Sequence, residues 1–190
     1  MRIIGGNAGG RRLKPAKGQA VRPTSARVKE ALFDILPRDL CGAKILDLFA
    51  GTGNVSIEAI SRGASEAILI DSSIQSGKVI RENLRRLRFA DRTKVWIVPV
   101  SRALRMLARR GESFDIIFLD PPYERGWVGA TLKVLAQGSL LRPTGVLIVE
   151  HSVREDVTSR RGTLALVDQR DYGDTRLSFF KHSAETTSAD

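Results

Sequence analysis

The chain has 190 residues, 42% of them hydrophobic, which is enough for one well-buried domain with a small appendage. A single cysteine, Cys41, excludes an internal disulfide, and with only two histidines a zinc site is not expected. The net charge of +10 favours a polyanionic partner such as nucleic acid, and the lack of a signal peptide or a long apolar run leads us to expect a cytoplasmic protein.

Residues 1–38 are predicted to form a basic extension. They contain nine Lys or Arg residues against two acids. The glycine-rich residues 5–10 separate two short segments, a pattern that predicts a β-hairpin. A helix then begins near Pro23-Thr24 and ends at Pro37. Its predicted apolar stripe is Val28, Ala31, Leu32 and Ile35, and its predicted exposed face carries Arg27, Lys29 and Glu30.

Strands alternate with helices from residue 44 onward. The predicted strands are 44–49, 66–71, 94–98, 114–119 and 145–150, and the predicted helices are 54–62, 73–88, 101–110 and 127–137. In the long helix, Ile74 is among the residues expected to point inward. Two antiparallel strands, 163–169 and 175–181, follow, and residues 183–190 are expected to be a disordered tail. The pattern predicts an α/β, doubly wound sheet with an antiparallel edge, in a domain spanning 39–182.

A glycine turn joins the first predicted strand to its helix, in the sequence Asp47-Leu48-Phe49-Ala50-Gly51-Thr52-Gly53. Glycines let a ligand approach the backbone at a helix start. A dinucleotide site would have a third glycine where this chain has Ser56, and Asp47 would repel a pyrophosphate. Asp47 suits a cationic ligand instead, such as the amino group of S-adenosylmethionine. Asp71, at the end of the second strand, can accept from ribose hydroxyls, with a helix cap as the alternative interpretation.

The segment Asp120-Pro121-Pro122-Tyr123 follows the fourth predicted strand. Open α/β sheets bind ligands at the carboxyl ends of their strands, and two prolines force the chain out of the sheet there. The Asp120 carboxylate and a backbone carbonyl can accept hydrogen bonds from the amino group of a flat ring that stacks on Tyr123. A plain strand exit with a capping Asp is the alternative.

These two motifs resemble the cofactor and catalytic motifs of class I S-adenosylmethionine-dependent amino methyltransferases. Five further segments resemble, more narrowly, the bacterial small-subunit ribosomal RNA guanine-N2 methyltransferases of the RsmD type. They are residues 1–6 (MRIIGG), 22–24 (RPT), 27–33 (RVKEALF), 58–64 (EAISRGA) and 172–175 (YGDT). The resemblance covers residues 1 to about 181, with the motifs in the same order. The Asp-Pro-Pro-Tyr motif alone is shared with DNA adenine methyltransferases.

The resemblance implies a Rossmann-like sheet of seven strands and methyl transfer to the exocyclic N2 amine of one guanine in small-subunit (16S) ribosomal RNA, without a metal. It places the catalytic role on Asp120, Pro121, Pro122 and Tyr123. It implies S-adenosylmethionine contacts by Asp47, Phe49, Ala50, Gly51, Thr52, Gly53, Asp71 and Ser72, and by Arg22, Pro23 and Thr24 folding over the cofactor. Thr52 replaces a serine that is common in the family, and Ser101 stands where an acid would meet the adenine amine. The candidate RNA-binding residues are Arg11, Arg12, Lys14, Lys17 and Arg27.

Two other functions compete with this one. A DNA adenine-N6 methyltransferase is disfavoured because the chain has no obvious insert to recognise a DNA sequence. A catalytically silent, RNA-binding ribosome assembly factor is disfavoured by the intact segment from Asp120 to Tyr123. The substrate is expected to be free ribosomal RNA or a partly assembled small subunit. We expect a monomer, since no long apolar stripe is left unassigned, and we expect Cys41 to be buried.

Overall fold

A computed structural model describes residues 1–15 and 26–183 of the chain. The described strands are β1 (Lys44–Leu48), β2 (Glu66–Asp71), β3 (Thr93–Ile97), β4 (Phe114–Leu119), β5 (Leu141–Ser152), β6 (Arg160–Arg161), β7 (Leu164–Tyr172) and β8 (Thr175–His182). The described α-helices are α1 (Ala26–Ile35), α2 (Asn54–Ser61), α3 (Ile74–Leu87), α4 (Val100–Arg109) and α5 (Trp127–Leu135). The expected alternation of strands and helices is confirmed.

All the strands join one sheet in the order β3-β2-β1-β4-β5-β8-β7-β6. The first five of these are parallel, while β8 and β7 pair antiparallel, so the predicted Rossmann-like sheet with an antiparallel edge is confirmed. An additional strand of two residues, β6, pairs with β7 at that edge. The strand order reverses between β1 and β4, and ligands bind at such a switch point in open α/β sheets.

Two apolar layers cover the sheet. One contains buried residues of α1, α2 and α3, and the other contains buried residues of α4 and α5. Adjacent residues of β1 alternate between the layers, with Ile45 in the first and Leu46 in the second, as the twofold repeat of a strand requires. The sheet is therefore covered on both faces, and a ligand can reach it at the ends of its strands.

The amino-terminal segment packs on the sheet domain. The predicted hairpin is reduced to one antiparallel bridge between Arg2 and Arg12, with a short 3-10 helix (Gly6–Ala8) in between. Ile3, Ala8 and Leu13 are buried in the same apolar layer as α2. The extension shares the core of the sheet domain, so its folding depends on that domain.

Four side chains differ from the sequence-based expectation. Lys29 was predicted to be exposed but is only 2% exposed, because it forms an ion pair with a buried carboxylate. Ile35 is exposed and Phe33 is buried in its place, so α1 is rotated from the predicted stripe. Ile74 was predicted to be buried but is 70% exposed; it is the first residue of α3, just beyond the carboxyl end of β2. Cys41 is exposed rather than buried.

Some expectations concern residues outside the described parts of the chain. These are the cap of α1 at Thr24 or Ser25 and the disordered tail beyond Ser183. No helix within residues 1–15 and 26–183 has the length and apolar composition needed to cross a membrane.

Candidate active site

Two predicted motifs meet where β1, β2 and β4 end. Leu48 of β1 pairs with Ile70 of β2 on one side and with Leu119 of β4 on the other. The backbone N–H of Ala50 donates to the Ile70 carbonyl at 2.9 Å, and that of Asp120 donates to the Leu48 carbonyl at 3.3 Å. The glycine turn and the Asp-Pro-Pro-Tyr segment are therefore neighbours at the switch point of the sheet.

The turn from Phe49 to Gly53 is held in an unusual backbone conformation. Phe49, Gly51 and Gly53 have φ values of 65°, 57° and 75°. The left-handed region costs a residue with a side chain about 1–2 kcal/mol, so Phe49 is strained. A Cβ added to Gly53 would lie 3.0 Å from Leu69 Cδ2, so this position favours glycine for space as well as for φ. Such strain is typical of a backbone shaped around a ligand.

Asp71 holds the turn from the side of β2. Its Oδ2 accepts from the Gly51 N–H at 2.9 Å, and its Oδ1 accepts from the Ser73 N–H at 2.7 Å. The Ser73 side chain, rather than Asp71, is the N-cap of α3, where it accepts from the Ser76 N–H. Each carboxylate oxygen has further acceptor capacity. Asp71 can therefore shape the turn and still accept from a ligand hydroxyl.

Asp47 lies in β1, two residues before the turn begins, and its side chain is buried, with 2% exposed. Burial raises the pKa of its carboxyl from 3.8 to about 7, the hydrogen bond from Ser56 opposes this, and the charge of Asp71 adds to it. Ser56 Oγ donates to Asp47 Oδ2 at 2.8 Å, so the residue at the expected third-glycine position orients this acid. A bound cation next to Asp47 would offset the cost of burying its charge. The site therefore fits an amino-bearing ligand.

The Asp-Pro-Pro-Tyr segment combines a half-buried Asp120, a buried Pro121 and an exposed Pro122. The Tyr123 hydroxyl donates to Glu150 Oε1 at 3.3 Å and lies 3.2 Å from Thr175 Oγ1. Burial and the charge of Glu150 raise the Tyr123 pKa well above its usual value, so the phenol stays protonated at neutral pH. Strands β5 and β8 thereby fix the phenol end of this side chain.

Two cofactor candidates lie on the outer side of the site. Ser72 is exposed beside Asp71, and Ser101 is exposed in the first turn of α4. The Val98 N–H donates to the Asp71 carbonyl at 3.0 Å, so the segment that leads to Ser101 leaves the sheet next to Asp71. Four other candidates lie outside the described residues: Lys17, Arg22, Pro23 and Thr24.

The candidate RNA-binding residues lie on and near the amino-terminal segment. Arg11 Nη2 donates to the Arg86 carbonyl at 2.5 Å, and Lys14 forms an ion pair with Glu82 at 2.7 Å. Arg12 and Arg27 are exposed. The segment therefore contacts α3. The predicted exposed arginines of this helix and its C-cap are exposed: Arg81, Arg85, Arg86 and the C-cap Arg88.

Sequence reasoning missed a buried polar cluster behind the turn. The Glu58 carboxylate accepts from the backbone N–H groups of Ile4 and Gly5, each at 2.8 Å, and from the Lys29 ammonium at 3.1 Å. Lys29 also donates to Asn54 Oδ1 at 2.9 Å, at the residue that follows Gly53. The apolar neighbours of Glu58 in α2 were a usable signal, because an acid on a buried helix face requires a partner.

A second missed contact holds Thr52. Asn83 of α3 donates to the Thr52 carbonyl at 3.3 Å and to the Lys14 carbonyl at 3.2 Å, while its own carbonyl oxygen accepts from the Lys14 N–H. Asn83 therefore ties the glycine turn to the amino-terminal segment. No feature of the local sequence distinguished this asparagine from an ordinary helix residue.

A five-stranded parallel layer of this order, an antiparallel edge and these two motifs at the switch point define a class I methyltransferase. Residues 1–181 match the model of the family described as Conserved hypothetical protein 95, and the chain belongs to this family. The protein is a methyltransferase, like the relatives and the solved structure that it resembles.

Two curated relatives illustrate matches over nearly the whole length of the relative. The Bacillus subtilis protein YlbH, named as a candidate rRNA methyltransferase, is 34% identical over 95% of this chain and 98% of the relative. Ribosomal RNA small subunit methyltransferase D of Escherichia coli K12 is 31% identical over 97% of this chain and 91% of the relative. A solved structure of the candidate methyltransferase yhhF from Escherichia coli has a TM-score of 0.84 and 31% identity, covering 97% of this chain and 99% of that one.

Proposed function

We propose that this protein transfers a methyl group from S-adenosylmethionine to the N2 amine of one guanine in small-subunit ribosomal RNA. The observation that carries the proposal is the hydrogen bond from the Asp120 N–H to the Leu48 carbonyl, 3.3 Å long. It makes the Asp-Pro-Pro-Tyr segment, called the acceptor motif from here on, a neighbour of the glycine turn of residues 49–53, called the cofactor turn. The relatives named ribosomal RNA small subunit methyltransferase D support RNA as the substrate. The choice of guanine as the target base, and of N2 as the methylated atom, rests on the family resemblance.

The described residues fit the proposed cofactor. Asp47 supplies a buried carboxylate for an amino group, Gly51 and Gly53 allow close approach to the backbone, and Asp71 supplies oxygen acceptors for ribose hydroxyls. Ser72 and Ser101 border the expected adenine end. When bound, S-adenosylmethionine supplies an activated methyl group on a positively charged sulfur.

The chemistry assigned to the acceptor motif follows from the electronic structure of guanine. The N2 lone pair is delocalised into the ring, so this nitrogen is a weak nucleophile. Hydrogen bonds from N2 to the Asp120 carboxylate and the Pro121 carbonyl would draw the lone pair out of the ring and fix its direction. Asp120 need not be a strong base, because the N2 proton becomes acidic as the new bond forms. Tyr123, held by Glu150 and Thr175, would stack on the flipped base.

The proposal also assigns a separate role to each of the two parts of the chain. Residues 1–38 would contact RNA and cofactor, with Arg11, Arg12, Lys14 and Arg27 pairing with phosphates, and residues 39–182 would form the catalytic domain. The net charge of +10 supports a polyanionic substrate. We further propose that the enzyme acts as a monomer in the cytoplasm, on RNA or on a partly assembled small subunit.

Methyl transfer with a labelled donor tests the proposal. Labelled S-adenosylmethionine is offered with unmethylated small-subunit RNA, with small subunits that lack the modification, and with DNA, and the labelled base is identified. Label on N2 of a single guanine supports the proposal. Label on adenine N6 of DNA would show instead that the protein is a DNA adenine-N6 methyltransferase. The absence of label from every substrate would favour a catalytically silent ribosome assembly factor.

A further inference from the structure

Trp127 is an exposed aromatic side chain beside the candidate site. It is the first residue of α5, four positions after Tyr123, and 46% of it is exposed. Its ring centroid lies 6.1 Å from that of Phe49, with the ring planes 59° apart. Phe49 belongs to the cofactor turn, so the indole stands where that turn and the acceptor motif meet. The proposed methyl-transfer chemistry assigns no role to Trp127.

We propose that Trp127 is a stacking platform for an RNA nucleotide adjacent to the methylated guanine. The inference rests on the proposed RNA methyl transfer. An exposed indole leaves a large apolar surface in water, and an unpaired base is a flat partner that covers such a surface well. A base flipped into the site leaves its neighbour without a stacking partner on one side, and Trp127 can replace that partner.

The surroundings of Trp127 favour a nucleotide. Arg125, two residues earlier, is exposed and can pair with a phosphate next to the stacked base. Gly126 is the N-cap of α5 in the left-handed conformation, and Val128 is buried directly after Trp127. The indole is therefore attached to an anchored helix start rather than to a free loop, which limits the ordering cost of binding.

The pairing with Phe49 leaves room for a ligand. The two rings are tilted rather than stacked, so Phe49 supports the indole without covering it completely. Phe49 is itself half-buried in the strained cofactor turn, which gives the indole a fixed neighbour. Trp127 thus acts on the RNA from the mouth of the site, while Asp120 and Tyr123 act on the target base.

Steady-state kinetics with a small-subunit RNA transcript test this role. For Trp127→Ala we expect KM for RNA to rise about 5- to 100-fold, because base stacking on an aromatic ring contributes on that order. We expect kcat and S-adenosylmethionine affinity to stay unchanged, since the lost contact binds substrate and transition state equally. Trp127→Phe keeps a ring and should retain most of the RNA affinity. Val134→Ala, which removes a 42% exposed apolar side chain from the same helix, should change neither constant.

Fluorescence tests the contact without turnover. Trp96, the only other tryptophan, is half-buried with the Arg110 guanidinium 5.0 Å from its ring, so Trp96→Phe leaves Trp127 as the single reporter. Adding the transcript to the Trp96→Phe protein should quench the fluorescence of Trp127, and the quenching should saturate as the RNA concentration rises. Unchanged emission, or an unchanged RNA KM in Trp127→Ala, would overturn the inference. A loss of S-adenosylmethionine affinity in place of RNA affinity would also overturn it, by assigning Trp127 to the cofactor site.

The two proposals fail in different ways. Methylation of guanine N2 without quenching would refute the stacking role alone. Quenching by RNA without methyl transfer by the Trp96→Phe or unmodified protein would refute the proposed function and support the stacking contact.

Discussion

Lys29 Nζ lies 3.1 Å from Glu58 Oε2, and both side chains are buried. This ion pair joins α1 to α2, and Glu58 also accepts from the backbone N–H groups of Ile4 and Gly5. Burial alone would raise the Glu58 pKa, but those N–H donors and the Lys29 charge hold it below its ordinary value. The amino-terminal segment and α1 are therefore attached to the sheet domain by a buried charge that has several partners.

Removing the buried cation should destabilise the fold strongly. For Lys29→Met we expect a loss of up to about 3–5 kcal/mol in the free energy of unfolding, because the buried Glu58 carboxylate would lose its ammonium partner. Arg62 Nε, 3.0 Å from Glu58 Oε1, would remain as its cationic partner and keeps the loss at or below this range. Urea unfolding monitored by circular dichroism measures the change. Arg170→Met, which breaks an exposed pair with Asp168, should cost less than about 1 kcal/mol. Equal losses in the two variants would contradict a special role for the buried pair.

The pKa of Asp47 predicts a pH dependence of cofactor binding. Since burial raises this pKa to about 7, the carboxyl becomes neutral below that pH and loses its attraction for a cationic amino group. We expect S-adenosylmethionine affinity to fall by up to about tenfold per pH unit below 7. Isothermal titration calorimetry across this range measures it. Asp47→Asn should bind weakly at all pH values and lose the pH dependence, whereas the exposed Asp34→Asn should behave like the unmodified protein.

The same shift predicts that Asp47 opposes folding at alkaline pH. A pKa raised on folding gives stability that is complete below 3.8, the unfolded value, and is lost as the pH rises through about 7. At pH 8 the ligand-free Asp47→Asn protein should therefore be more stable than the unmodified protein, by on the order of 3 kcal/mol. At pH 4 the advantage should nearly vanish. Denaturation at both pH values checks this, and a variant that is less stable at pH 8 would contradict it.

Gly6 should tolerate no side chain. It has a φ of 72°, and a Cβ added there would lie 1.8 Å from the Ser61 carbonyl oxygen, which is backbone and cannot rotate away. Gly10 has a similar φ of 82°, but a Cβ added there would meet nothing within 4 Å. Gly10→Ala should cost about 1–2 kcal/mol for its conformation alone, and Gly6→Ala should cost at least about 1–3 kcal/mol more. Thermal unfolding of the pair measures the difference, and equal costs would contradict the close approach.

Asp120→Ala should abolish methyl transfer while largely preserving cofactor binding. The carboxylate belongs to the proposed acceptor motif just after β4, whereas Asp47 of β1 and Asp71 of β2 adjoin the proposed cofactor turn. Single-turnover transfer to RNA and calorimetry with S-adenosylmethionine measure the two properties separately. Loss of cofactor binding in Asp120→Ala would instead place this side chain in the cofactor site.

Tyr123→Phe should separate the roles of ring and hydroxyl. The ring would still stack on a base, but the hydrogen bond to Glu150 and the contact with Thr175 would be lost, so we expect a modest decrease in kcat/KM, about 5- to 10-fold for about one lost hydrogen bond. Tyr123→Ala should lose far more. Tyr172→Phe removes the only other tyrosine hydroxyl and is the matched control. Equal activity of Tyr123→Phe and the unmodified protein would remove the positioning role of the hydroxyl.

The sequence predicted the elements well because their signals are local. Strand residues 114–119 and 66–71 were predicted with the bounds that the structure has, since short apolar runs end there at an acid or a proline. The errors came from long-range contacts. Lys29 was placed on an exposed face because nothing within α1 reveals Glu58, which lies 29 residues away and is the reason that Lys29 can be buried.

The sequence by itself determined that acids and glycines follow strands, and it thereby predicted a ligand site at the carboxyl ends of a parallel sheet. Only the tertiary structure decided which groups meet there. It placed Ser56 on Asp47, Asp71 on the Gly51 amide, and Glu150 and Thr175 on the Tyr123 hydroxyl. It also exposed Trp127 at the mouth of the site. The physical reason is that backbone periodicity is encoded by neighbouring residues, whereas burial and hydrogen-bond partners depend on segments brought together only by the fold.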